Sequence, residues 1–151
     1  MAKQKPPVWE ANKSAPKNAA RKLPGLAVLY FKAGRRLAER RATLEALHQF
    51  QLETKRFRYT LELFRSCYGK VFDERLASLR KIHDLLGEIN GCVTAQNLLG
   101  RKQKSLAQFL QRRVARKKRA LTRYWHGSFD AAGQQQRWSD YLERFARSRS
   151  R

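Results

Sequence analysis

The sequence predicts an all-α protein, an antiparallel bundle of about four to five helices with a basic face or groove. Two observations carry that expectation. Apolar residues recur at alternating spacings of three and four, and nothing resembles the period-two alternation of strands. No proline occurs from residue 25 onward, so that stretch permits long helices. At 151 residues, 42% of them hydrophobic, the chain is long enough for one core with tails.

Residues 1–24 hold all four prolines among scattered Lys, Asn and Ala, and read as a disordered basic arm. Residues 25–148 make the bundle. Its first helix is expected from about Leu26 to Arg41, with Leu26, Leu29, Tyr30 and Leu37 inward. Thr43 is placed to cap a second helix that runs to about Tyr68 and stops at Gly69.

A third helix is expected from near Asp73 to Gly100, with Asp73 and Glu74 suited to the positive end of the helix dipole. Phe72, Leu76, Leu79, Ile82, Leu86, Ile89 and Val93 form its apolar stripe. Gly87 and Gly91 lie inside it and each costs roughly 1 kcal/mol against Ala, which predicts a bend or a close helix approach. The fourth helix, about Ser105 to Trp125, packs through Leu106, Leu110, Val114, Leu121 and Trp125. A last helix from about Gln134 to Arg147 turns Trp138, Leu142 and Phe145 inward, and residues 149–151 form a basic tail. Short connections between such helices imply antiparallel neighbours.

The 34 Lys and Arg against 12 Asp and Glu give a net charge of +22, so a polyanionic partner would relieve self-repulsion. The excess is uneven. Residues 101–124 carry ten bases and no acid, whereas residues 71–100 carry three bases and four acids. In the fourth helix Arg112, Arg116, Arg119 and Arg123, with Arg113 beside them, fall on one ridge off the apolar stripe. Like charges four apart cost a few tenths of a kcal/mol each, and arginine favours bidentate phosphate contact.

The second helix carries two stripes. Phe50, Phe57, Leu61, Phe64 and Tyr68 make one apolar face, while His48, Gln51, Lys55, Arg58, Glu62 and Arg65 recur on another. One side is built for packing and the other to receive an anion.

Two segments resemble the CHAD family, the conserved-histidine α-helical domain. Its pattern H-x-x-R-x-x-x-K-R-x-R-Y is met by His48, Lys55, Arg56, Arg58 and Tyr59, with Gln51 where the family has arginine. Its L-[KR]-x-L-Q-x-x-L-G-x-x-x-D is similar to Leu79–Gly91, with Arg80, Leu86 and Gly87 in register, His83 at the family glutamine and Gly91 at its aspartate. The likeness covers about residues 44–100 and continues more loosely to Trp125. It implies an all-helical fold that binds inorganic polyphosphate without catalysis, through His48, Lys55, Arg56, Arg58, Tyr59 and Arg80, with the Arg112–Arg123 ridge as a second wall. Family members commonly hold two facing bundles and this chain about one, so either one open face binds or a homodimer completes the groove.

Nucleic acid is the alternative ligand, served by the basic arm, the arginine ridge, Tyr124 and Trp125, although no helix-turn-helix, RNP or zinc-finger pattern is present. No paired carboxylates or Gly-rich phosphate loop suggest an enzyme, and no cofactor is implied. His48, His83, Cys67 and Cys92 lack metal-ligand spacing, and the two cysteines read as buried thiols of a reducing compartment. With no secretory signal and no apolar run near the ~20 residues a membrane helix needs, no membrane insertion is expected. The expected location is cytoplasmic, in association with polyphosphate granules.

Overall fold

The first helix is longer than its proline suggests. The computed structural model describes residues 8–39, 41–99 and 102–147, and in it α1 spans Ala15–Glu39, running through Pro24. The expected disordered arm is therefore wrong for its second part. Pro24 withholds a backbone donor, a loss worth about 3 kcal/mol in a helix interior. Ala19, Leu23 and Ala27, on the same face, are fully buried, and that burial outweighs the missing bond. Asn18 ties down the preceding segment, donating to the Glu10 carbonyl at 3.0 Å and accepting from the Glu10 amide at 3.0 Å. Trp9 packs on Phe64 with ring centroids 5.1 Å apart. Residues 1–7 and the tail at 149–151 lie outside the described residues.

Helix α2 spans Leu44–Leu63, and the Thr43 hydroxyl caps it by accepting from the Ala46 amide at 3.1 Å. A single 3-10 turn, Arg65–Cys67, leads past Gly69 into α3, Lys70–Leu99. Helix α4 covers Lys104–Tyr124 and widens into a π turn, Trp125–Phe129. Gly133, the one residue with positive φ (81°) among those described, precedes α5, Gln134–Arg144. These elements form an all-α helical bundle.

Contacts between neighbours run in opposite senses. On α2 and α3, His48 approaches Asn90. On α3 and α4, Ser78 meets Tyr124, Glu88 meets Lys117 and Gln96 meets Ala107, so rising numbers on one helix pair with falling numbers on the other. Helix α5 folds back along α1, where Trp138 packs edge-on to Phe31 at 6.0 Å. The bidentate Arg35–Asp130 pair, at 2.7 and 2.8 Å, holds the end of the π turn against α1.

The core is rich in aromatic rings. Tyr30 stacks between Phe50 and Phe57, and Phe31 stacks on Phe129. The Tyr30 hydroxyl meets Thr54 Oγ1 at 2.8 Å, and Thr54 in turn donates to the Phe50 carbonyl. Burial pushes the Tyr30 hydroxyl pKa far above its ordinary value, so it stays protonated. The close helix approach occurs at Gly34, not at Gly87 or Gly91. A Cβ on Gly34 would run into the six-membered ring of Trp125, whereas one on Gly87 would stand 3.7 Å from Gln51 Nε2 and one on Gly91 would meet nothing.

Three residues expected inward are exposed. Leu29 lies off the buried Leu23–Ala27–Tyr30–Phe31 face, Leu106 sits in the first turn of α4 ahead of its buried residues, and Phe145 follows the end of α5, stacked on Tyr141.

Candidate functional site

Packing α2 antiparallel to α3 sets the polar stripe of one helix beside a matching row on the other. His48, Gln51, Lys55 and Arg58 from α2 border His83, Gly87 and Asn90 from α3. Asn90 Nδ2 hydrogen-bonds Gln51 Oε1 and lies 3.4 Å from His48 Nδ1. Asn90 was not singled out from the sequence, although its spacing from His83 and Gly87 puts it on their face. It is an amide one residue before Gly91, the position of the family aspartate.

Farther along the seam, Arg58 Nε and His83 Nδ1 are buried without hydrogen-bond partners. Glu62 Oε1 is 3.5 Å from that Arg58 nitrogen, near enough for charge attraction but not aligned as a hydrogen bond. The Arg58 guanidinium lies 5.0 Å from the Tyr59 ring centroid and Lys55 Nζ 5.7 Å from it, so the half-exposed tyrosine supports both cations. Burial lowers the His83 pKa most, the Arg58 charge pushes it the same way, and Asp84 opposes them by less than Arg58 but more than the small further lowering from Lys55. Unpaired buried polar atoms cost roughly 1–3 kcal/mol each. An incoming anion would supply acceptors and relieve the mutual repulsion of the bases.

Arg56 and Arg80 stand apart from these contacts. Arg56 is exposed and acts with Arg36 of α1 on half-buried Glu53, away from α3. Arg80 is exposed three residues before His83, on the continuation of the α3 row.

The arginine ridge does not form an opposite wall to this seam. Helix α3 packs against both α2 and α4, and Lys117 of α4 turns to α3, 2.6 Å from Glu88. Arg112, Arg116, Arg119 and Arg123 are exposed and Arg113 is half-buried. Where α2 and α4 do face each other, across a cleft of about 810 Å³, α2 contributes Leu47 and Phe50 rather than its polar stripe. Helical periodicity placed the ridge correctly relative to its own apolar stripe. It could not give the rotation of α4 against α3, which the Lys117–Glu88 and Tyr124–Ser78 contacts settle.

Both cysteines are buried and free. Among the described residues no three His, Cys, Asp or Glu side chains gather as metal ligands, and no helix is long and apolar enough to cross a membrane.

Fold and seam together define an all-helical bundle protein with basic, histidine and amide side chains gathered between two adjacent helices. The chain belongs to the CHAD domain family, whose sequence model matches residues 2–100. The matched region takes in α1, α2 and α3, reaching further toward the N-terminus than the 44–100 resemblance and stopping short of α4. No curated protein and no solved structure matches the chain.

Proposed function

We propose that this protein binds inorganic polyphosphate without chemical change, the α2–α3 seam gripping a stretch of the polymer. The observation that most supports this is the pair Lys55 and Arg58, at positions matching the family pattern, set beside His83, with Arg58 Nε and His83 Nδ1 buried without hydrogen-bond partners. Each internal phosphate carries about one negative charge and offers acceptors but no base edges to read. A row of fixed donors is therefore sufficient, and Arg58 can contribute charge-assisted bonds.

His48 at one end and Arg80 near the other extend the seam, with Arg56 on its outer flank. A polymer leaving the seam reaches the exposed Arg112, Arg116, Arg119 and Arg123 and the half-buried Arg113 as separate contacts around the bundle. In the cell this reading places the protein in the cytoplasm on polyphosphate granules, and a homodimer would double the contacts available to one polymer.

Titration with polyphosphate of defined length across a salt series tests the proposal. The double substitution Lys55→Ala/Arg58→Ala is expected to weaken binding by at least about tenfold and to flatten the salt dependence, because fewer counterions are released. Unchanged affinity with the same salt slope overturns the seam assignment. Duplex DNA or RNA that displaces polyphosphate at equal phosphate concentration favours nucleic acid instead.

A further inference from the structure

The cleft between α1, α2 and α4 is built unlike the seam. Its floor is carbon-rich, formed by Leu37, Leu47, Phe50, Leu121 and Trp125. Four cations border it, Arg41, Lys118, Arg119 and Arg123, and none of the lining residues is acidic. Lys118 Nζ reaches only a backbone carbonyl, that of Ala42, at 3.5 Å. Trp125 is buried beneath, and its indole Nε1 has no hydrogen-bond partner.

We infer that this cleft binds a single-chain anionic amphiphile, an alkyl or acyl chain ending in a phosphate or carboxylate. The volume of about 810 Å³ falls within the range of ligand pockets, roughly 300–1,000 Å³. The floor would take the hydrocarbon and the four cations the head. Inorganic polyphosphate has nothing apolar to set against the floor. A second copy of this chain would bring a further +22 to a cationic mouth. A neutral hydrocarbon would leave the repulsion among the four bases unrelieved. Only a ligand with both an apolar body and an anionic end answers both parts of the cleft.

Calorimetric titration of the full chain with octyl, decyl and dodecyl phosphate, each below its micelle concentration, tests the inference. Affinity is expected to rise with chain length, by up to roughly fourfold per methylene, with inorganic phosphate alone binding far more weakly. Ala115→Trp and Thr122→Trp place bulk in the cleft from exposed helix positions, where folding is little disturbed. Both are expected to abolish the chain-length dependence while polyphosphate binding persists, so failure here is separable from failure of the seam. Arg119→Ala/Arg123→Ala is expected to weaken all three lengths alike. Equal affinity for all lengths, or chain-length dependence that survives both tryptophan substitutions, overturns the inference. So does binding to anionic phosphatidylglycerol vesicles without binding to monomeric alkyl phosphate, which would mark a membrane surface as the ligand.

Discussion

Leu47 and His48 are adjacent on α2, yet one helps floor the cleft and the other opens the seam. In the seam, the amide of Asn90 meets Gln51 and His48, the charges of Lys55 and Arg58 act on His83, and both cations rest on Tyr59. In the cleft the cations stand around an apolar floor with no acid among its lining residues. The seam is a polar contact between helices, so its chemistry is tied to how α2 meets α3. The cleft is a concavity left by three helices, so its shape depends on what props them apart. One helix serves both because faces 100° apart are independent in sequence.

The largest predicted effect breaks the cleft and spares the seam. Gly34→Ala drives a Cβ into the Trp125 ring, which is packed by Tyr30, Phe31, Phe50 and Phe129 and has little room to move. A loss of about 1–3 kcal/mol is expected in urea unfolding, despite the intrinsic helix preference for alanine. Combining it with Trp125→Leu should cost less than the two single losses added, since the second substitution removes the group struck.

The next prediction concerns the seam alone. Because the His83 pKa is lowered in the folded protein, the unfolded chain binds more protons between that lowered value and the ordinary histidine value near 6.5. Stability therefore rises with pH through that window and falls as pH drops through it, the loss being complete below the folded-state value. His83→Gln should remove this contribution to the pH dependence of the denaturant midpoint. A bound polyanion offsets Lys55 and Arg58 and restores the His83 pKa upward. Binding should accordingly take up protons and tighten below about pH 6.5.

The smallest effect separates affinity from stability at a single position. Gln51→Arg adds a cation where the family places one, and is expected to tighten polyphosphate binding by about two- to tenfold. It also removes the bond from Asn90, which should cost about 0.5–1.5 kcal/mol of stability. Titration and urea unfolding of the same variant would show the two changes in opposite directions. No gain in affinity would mean that the ligand does not meet this part of the seam.

The helices, the Thr43 cap and the inward faces of α2 and α3 were legible because they depend on local spacing. So was the grouping of His48, Lys55 and Arg58 on one side of α2. Pro24 misled the sequence reading because its local penalty is offset by burial against residues distant in sequence. The π turn at Trp125 and the Gly34 contact likewise depend on partners about ninety residues apart. The arginine ridge shows the general limit. Periodicity assigns each residue an angle about its own helix axis, but the neighbouring helix fixes where that angle points.

The packing of α5 on α1 also sets a schedule for folding during synthesis. Phe31 and its partner Trp138 are separated by more than a hundred residues. At translation rates of about 5–20 residues per second, Phe31 is made roughly 5–20 s before the tryptophan that covers it. For that interval one aromatic flank of α1 stays open on the growing chain. Slowing elongation before α5 should therefore increase aggregation of the nascent protein, although no residue of the finished fold is altered.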